Sequence, residues 1–351
     1  MDRLTVLALN SGSSTLKFGL YGVGALDATV LLSSEIEVRS PDDMGRALAE
    51  IAGRLSGVDM PSPDAIGHRI VHGGPTLRRH CLIDDSMIAQ LQAATAFAPL
   101  HIPQALSIIR LALEHFAGLP QVACFDTVFH AGMPEVARTL PISRDLRSHG
   151  IERYGFHGLS CESIVRQLGR DLPDRLVIAH LGNGASITAV KAGRSIDTSM
   201  GLTPTGGVIM GTRSGDLDPG ILVYLARERG FDAAMLEDLV DRRSGLLGIS
   251  GIGSDMRLLR KAESSNANAR LAIAMFCYSA RKQIAAMIAA LEGVDSLVFT
   301  GGIGEHDTQT REEICRGLSW AGVRASVLPA QEEAQIARHT RASIANASLP
   351  A

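Results

Sequence analysis

The chain has 351 residues, with 34 Lys plus Arg against 37 Asp plus Glu and a formal net charge of -3. That near balance excludes a nucleic-acid binder held by bulk positive charge, and it excludes a long acidic tail. A composition 46% hydrophobic and 20% charged carries enough apolar surface to offset chain entropy, which excludes disorder as the main state.

Leu4 to Leu9 is a short apolar run of strand formers, followed by the small-residue stretch Asn10-Ser11-Gly12-Ser13-Ser14-Thr15 and then by Leu16 to Tyr21. This predicts strand, tight turn, strand. A third strand is predicted at Val30 to Val38, a helix at Asp43 to Leu55, and a strand at Ala65 to Val71 closed by Gly73-Gly74-Pro75. Helices follow at Asp85 to Thr95 and Pro103 to Phe116, then a strand at Gln121 to Phe125. Strands alternating with helices predict an α/β layer architecture.

From Leu176 the opening pattern returns. The run Leu176 to Ala179, the turn His180 to Ser186 and the run Ile187 to Val190 read as a second strand hairpin, which suggests two related domains. Helices fit Pro219 to Glu228, Asp232 to Arg242 and Ala267 to Leu291, the last with Leu271, Met275, Tyr278, Ile284, Ala285, Met287 and Ile288 on a recurring apolar face, expected to point inward. Leu297 to Thr300 is a buried strand running into the turn Gly301-Gly302-Ile303-Gly304-Glu305, with a helix from about Thr308. At roughly 100 to 200 residues per domain the length predicts two domains, with a cleft between them, and one large single domain as the alternative. The boundary is expected between Asp126 and Arg153.

The apolar run Ile284 to Leu291 is far short of the roughly 20 residues that span a bilayer. Met1-Asp2-Arg3-Leu4-Thr5-Val6 has no basic region leading into an apolar core, so a cytoplasmic location and no membrane partner are expected. Cys81, Cys124, Cys161, Cys277 and Cys315 form no CxxC pair and read as reduced thiols.

Three turns of small residues follow apolar strands, at Asn10 to Thr15, Gly182 to Ser186 and Gly301 to Gly304. Such turns leave backbone N–H groups uncovered, which suits an anion. Neither GxxxxGK[ST] nor a helix-opening GxGxxG is present, so a phosphate site must be of another type. At the end of the strand before Gly73, period-two alternation puts Arg69 and Val71 on one face. A guanidinium beside an apolar side chain suits a small carboxylate with a short tail. His68 and His72 have a metal-ligand spacing but lack a third ligand nearby and the HExxH glutamate. Arg213 sits in a glycine-dense loop, where its role is either surface solvation or function. His157, in Tyr154-Gly155-Phe156-His157-Gly158, is open to reading as a packed histidine. Asp126 ends a strand, the usual place for a functional carboxylate in an α/β domain, and could equally cap the next turn.

The motifs LALNSGSSTLKFGLY, GHRIVHGG, APLHIP, CFDTVFH, RYGFHG, HLGNGAS, DTSMGLTPTGGVIMGTRSGDLDP, GISGIGSD and FTGGIGE occur in the order seen in acetate kinases. The chain resembles that family from Leu7 to about Arg338. The resemblance implies two actin-like domains of ribonuclease-H type with ATP or ADP and a short-chain carboxylate in a central cleft. It implies an N-terminal domain of residues 1–128 plus 334–351, a C-terminal domain of 129–333, and a homodimer. Asn10 and Glu332 correspond to positions associated with Mg²⁺, for which Mn²⁺ could substitute. Lys17 lies on the first phosphate turn and Arg69 meets the substrate carboxylate. Asp126 matches the active-site aspartate, and His157 and Arg213 match residues that stabilise the transition state. Nucleotide contacts are implied for His180, Leu181, Gly182, Asn183 and Gly184, for Asp255, Met256 and Arg257, and for Gly302, Ile303, Gly304, Glu305 and His306. Val71, Leu100, Phe156 and Pro204 are implied to line the pocket for the substrate methyl group. The chain departs from the family pattern at Ile102, Cys161 and His306.

Acetate, with a pKa near that of Glu at about 4.3, is already ionised at neutral pH, so no strong base is needed. Catalysis must instead hold two anions together and neutralise charge on the moving phosphoryl group. On that ground Asp126 reads as organising Mg²⁺ and its waters rather than abstracting a proton. The expected activity is reversible ATP-dependent phosphorylation of acetate. The alternatives are a kinase preferring propionate or butyrate and a catalytically silent actin-like nucleotide sensor.

Overall fold

The structure is a computed structural model that describes residues 3–12, 15–38, 41–57 and 60–347. Ser13 and Ser14 of the first small-residue turn, and Met1 and Asp2 of the leader reading, lie outside the described residues. The elements run β1 (Leu4–Ser11), β2 (Thr15–Val23), β3 (Ala28–Glu37), α1 (Pro41–Leu55), β4 (Ala65–Ile70), β5 (Cys81–Leu82), α2 (Asp85–Ala93), α3 (Ile102–His115) and β6 (Gln121–Phe125). Two one-turn helices, α4 (Glu135–Arg138) and α5 (Arg144–Arg147), precede α6 (Gly158–Leu168). Then come β7 (Arg175–Leu181), β8 (Ala185–Lys191), β9 (Arg194–Thr198), α7 (Pro219–Arg229), α8 (Ala233–Arg242), α9 (Gly245–Ser250), α10 (Met256–Ala262) and α11 (Ala267–Ala290). The chain continues through β10 (Ser296–Thr300), α12 (Gly301–His306), α13 (Thr308–Arg316), β11 (Ala325–Val327) and α14 (Glu332–Ala347). It divides into two compact units, one of Met1–Val128, Gly158–Ser163 and Gln331–Ala351, the other of Phe129–His157 and Ile164–Ala330.

The first unit holds a six-stranded sheet in the order β3-β2-β1-β4-β6-β5. β1, β2 and β3 form an antiparallel meander, while β1, β4 and β6 are parallel. Alternation along β1 sends Leu7 and Leu9 to one face and Val6 and Ala8 to the other. The first face packs against Leu48 and Ile51 of α1 and Ile108 of α3, and the second against Ile336 and Ala337 of α14. Both faces are therefore covered, which is why β1 reads as a continuous apolar run. Glycine is required at Gly67, next to Ala8 in the parallel register. A Cβ there would lie 2.2 Å from Thr340 Oγ1 and 2.6 Å from Ile336 Cγ2, so its absence lets α14 lie directly on the sheet.

The second unit repeats the plan in five strands, β11-β10-β7-β8-β9. β7 and β8 form the antiparallel hairpin, β9 extends it, and β10 and β11 run parallel to β7. α11 packs across β7, β8 and β9. Each sheet thus has the ribonuclease-H-type order of an actin-like domain.

Two expectations are corrected. Leu271, Met275 and Tyr278 do not face inward: they are 50%, 38% and 60% exposed. The buried face of α11 instead includes Ala269, Ala272, Ile273, Phe276 and Ala280, with Ile284, Met287 and Ile288 inside as expected. Small residues let the helix approach the sheet closely. Gly301 to Gly304 is no open turn either, because the strand β10 runs straight into α12, with Gly301 at φ 78° making the corner.

Candidate active site

In the first unit, Asn10, Arg69 and Asp126 lie at the carboxyl ends of the parallel strands β1, β4 and β6, the usual ligand end of such a sheet. β4 and β6 pair with Arg69 opposite Cys124, and the Asp126 amide donates to the Ile70 carbonyl at 2.9 Å. Arg69 donates twice to Asp126 Oδ2, through Nε at 2.9 Å and Nη2 at 2.6 Å, and its Nη1 donates to the Ser11 carbonyl at 3.2 Å. Burial opposes the guanidinium charge, but Asp126, Glu332 and Glu333 more than offset it, so the Arg69 pKa moves up.

Burial pushes the Asp126 carboxyl up to about 6, against the pull of Arg69 and with the push of Glu332. Its Oδ1 is buried without a well-formed hydrogen bond. Asn10 Nδ2 donates to Glu332 Oε2 and to Glu333 Oε1, both at 2.8 Å, and the carboxylates lie at the first turn of α14. Lys17 is exposed on β2 opposite Asn10. Val71 and Leu100 belong to this unit and are partly buried.

An unsatisfied carboxylate oxygen, an amide oxygen on Asn10 and the acids of α14 form an all-oxygen donor set. That set fits Mg²⁺, which keeps several waters and asks for only one or two protein carboxylates. Asn10, Asp126 and Glu332 are the residues that would hold it.

In the second unit the centre is His157. Its backbone is left-handed at φ 58°, an arrangement that costs a non-glycine residue about 1–3 kcal/mol and marks functional sites. The ring is buried, stacked on His180 with centroids 4.1 Å apart, and Nδ1 lies 3.0 Å from Ser186 Oγ. His180 and Ser186 face each other across the β7–β8 hairpin. A Cβ on Gly184 would come 3.2 Å from His157 Nε2 and 3.5 Å from Arg213 Nη1. Glycine at the hairpin tip therefore leaves space where an imidazole edge and a guanidinium converge. Arg213 Nη1 also donates to the Pro204 carbonyl at 3.2 Å, which ties the loop of residues 204–213 back on itself. Phe156 and Pro204 are buried in this unit.

Of the expected nucleotide residues, Lys17 lies in the first unit; the others, His180 among them, lie in this one, on three features. The hairpin tip supplies Leu181, Gly182, Asn183 and Gly184. The N-terminus of α10 supplies Asp255, whose Oδ1 accepts from the Arg257 amide at 2.8 Å. Met256 is buried. α12 holds Gly302, Ile303, Gly304 and the exposed His306. Glu305 Oε1 accepts from the Gly301 and Ala330 amides, each at 3.0 Å, so that oxygen shapes the corner.

His68 Nε2 pairs with Gln121 Oε1 at 2.8 Å, and His72 Nδ1 accepts from the Gly74 amide at 2.8 Å. One ring nitrogen of each is thus engaged, on separate partners. His80, Glu162 and His339 also cluster in the first unit. There His80 Nδ1 accepts from the Phe125 amide at 3.1 Å and His339 Nε2 lies 2.7 Å from Glu162 Oε2. Accepting at Nδ1 leaves the neutral His80 ring with its proton on Nε2, which suits a hydrogen-bonded cluster better than a metal ligand. Sequence reading missed Ser186 and Glu333. The first was legible in principle, since a hairpin folded about Gly182 to Gly184 places it opposite His180.

The acetokinase family pattern matches residues 42–347. An acetate kinase of Nitrobacter hamburgensis is 37% identical over 386 aligned residues, covering 96% of this chain and 95% of that protein. The Porphyromonas gingivalis acetate kinase structure matches with a TM-score of 0.84 at 34% identity, over 97% of this chain and 100% of that one. A propionate kinase from Francisella tularensis matches with a TM-score of 0.85 at 34% identity, over the same shares. With its fold and its sequence matched over nearly their whole length, the chain belongs to the acetokinase family.

Proposed function

We propose that the chain catalyses reversible transfer of the ATP γ-phosphoryl group to acetate, giving acetyl phosphate and ADP by direct in-line displacement. The observation that carries the reading is the buried Arg69–Asp126 pair at the ligand end of the first sheet. A guanidinium fixed by one carboxylate retains N–H groups for a second, and a small carboxylate substrate is the partner that the family names. An acetate oxygen forms the new bond to the γ-phosphorus while the bond to the β,γ-bridging oxygen breaks, and the electron pair leaves with ADP. Arg69 orients the carboxylate, Arg213 neutralises charge on the transferring oxygens, and His157 donates a hydrogen bond to them. Bound Mg²⁺, or Mn²⁺, would screen the phosphates, with Asp126 and Glu332 orienting its waters. A hydroxylamine trap with ATP, Mg²⁺ and acetate tests this directly: acetyl hydroxamate is expected, and its absence with active folded protein would overturn the reading.

One observation favours a second acid. The propionate kinase is as similar in fold and identity as the acetate kinase structure. Val71, Leu100, Phe156 and Pro204 are the side chains proposed to bound the acyl pocket, and one methylene is worth about 1–3 kcal/mol there. We favour acetate; comparing kcat/KM for acetate, propionate and butyrate decides it.

We further propose a cytoplasmic homodimer. No described helix is long and apolar enough to cross a membrane. The exposed Ile221, Val223 and Tyr224 of α7 and the exposed Leu271, Met275 and Tyr278 of α11 support self-association, which light scattering on a sizing column would test.

A further inference from the structure

α10 and α13 each pack on α11, and a single partly buried cation links them. Arg260, 13% exposed on α10, donates through Nη1 to Glu313 Oε1 at 2.9 Å and to Glu263 Oε2 at 3.1 Å. Its Nη2 donates to Thr310 Oγ1 at 2.7 Å, and its Nε lies 3.5 Å from Asp307 Oδ2. Asp307 is itself the N-cap of α13, accepting from the Thr310 amide at 2.9 Å and from the Thr310 hydroxyl at 2.6 Å. The same corner is braced by Arg311, whose Nη1 donates to the Gly304 and Glu305 carbonyls, each at 3.0 Å. One guanidinium thus meets three carboxylates, from Glu263, Asp307 and Glu313. Removing it would leave those acids crowded and uncompensated, so the two helices would move apart.

The position of this network matters more than its strength. Asp255 to Arg257 open α10, one turn before Arg260, and His306 closes α12 immediately before Asp307. We propose that Arg260 is a positioning residue for the nucleotide site, holding the α10 wall and the α12–α13 corner at one spacing so that both bear on the same nucleoside diphosphate. This rests on the proposed function, since only under that reading do both segments contact nucleotide. A guanidinium suits the task because it engages several carboxylates in fixed directions, which a lysine ammonium does not.

The test is nucleotide binding and steady-state kinetics on folded full-length Arg260→Met and Arg260→Lys. For Arg260→Met, the Kd for ADP and the KM for ATP are expected to rise about tenfold, with KM for acetate and kcat at saturating ATP within about twofold of wild type. Arg260→Lys should recover part of the loss. A general structural role would instead lower kcat and worsen both KM values together. Should Arg260→Met fail to fold, Arg260→Lys and Glu313→Gln carry the test, each with about a threefold rise in the ADP Kd expected. Wild type that binds ADP alongside a folded variant that binds it equally well would overturn this proposal alone. Wild type that binds no ADP would overturn the proposed function and this proposal with it.

Discussion

Ser186 Oγ lies 3.0 Å from His157 Nδ1, on the opposite edge of the ring from the Nε2 that faces the space beside Gly184. When the hydroxyl donates to Nδ1, the neutral ring carries its proton on Nε2 and presents a donor. Ser186→Ala should therefore lower kcat about tenfold with both KM values nearly unchanged, because the ring loses its fixed tautomer but not its place. Single-turnover phosphoryl transfer would check it, and an unchanged rate would remove the role.

Loss of one electrostatic donor typically costs about 100 to 1,000-fold in turnover. Arg69→Ala, Arg213→Ala and His157→Ala are each expected to lose at least that much in the hydroxamate assay while remaining folded by circular dichroism. Arg69→Ala should also raise KM for acetate, since it alone is proposed to meet the carboxylate. Near-normal turnover in all three would contradict the assignment.

Burial pushes the Asp126 carboxyl up to about 6, so protonation should remove its anionic form at a higher pH than for an ordinary carboxylate. Activity should fall as pH drops through about 6, approaching tenfold per pH unit. Asp126→Asn should be poorly active and should lack that limb. An acid limb that persists unchanged in Asp126→Asn would assign it to another group.

Stability should follow pH through buried neutral histidines. Burial lowers His68 and His130 to about 4, and burial with the neighbouring His339 lowers His80 to about 3. The unfolded chain takes up protons on these rings near 6.5 while the folded chain does not. Their contribution is complete above 6.5 and is lost as pH falls towards 4, on the order of 2 kcal/mol for each ring at pH 5. Asp126, raised from 3.8, acts in the opposite sense over about pH 4 to 6, one group against three. Urea unfolding at pH 7.5 and 5.0 should show net proton uptake on unfolding, and equal stability at the two would be inconsistent with neutral buried rings.

Gly67→Val would place a branched side chain where even a Cβ comes within 2.2 Å of α14. Overpacking of this kind costs about 1–3 kcal/mol. The helix must shift, and Glu332 shifts with it, so the urea midpoint and the activity should both fall.

Much of the architecture was legible because short apolar runs separated by small residues recur at β1–β2 and at β7–β8. The residues for chemistry were legible differently, since Arg69, Asp126, His157 and Arg213 stand in recognisable motifs. The inner face of α11 was not legible. Hydropathy selects Leu271, Met275 and Tyr278, whereas close approach to a sheet selects Ala269, Ala272 and Ala280. The α10–α13 link was hidden for another reason: Arg260 and Glu313 are far apart in sequence, and among so many arginines neither composition nor spacing sets that one apart.

Because α14 supplies most of one covering layer of the first sheet, residues of β1 and β4 wait for residues translated far later. Until Ile336, Ala337 and Thr340 have left the ribosome, Val6, Ala8 and Gly67 present an uncovered apolar surface to the cell. Vectorial synthesis therefore lets the interior unit mature before the one that begins the chain, and the nascent protein passes through a stage in which chaperone capture competes with completion.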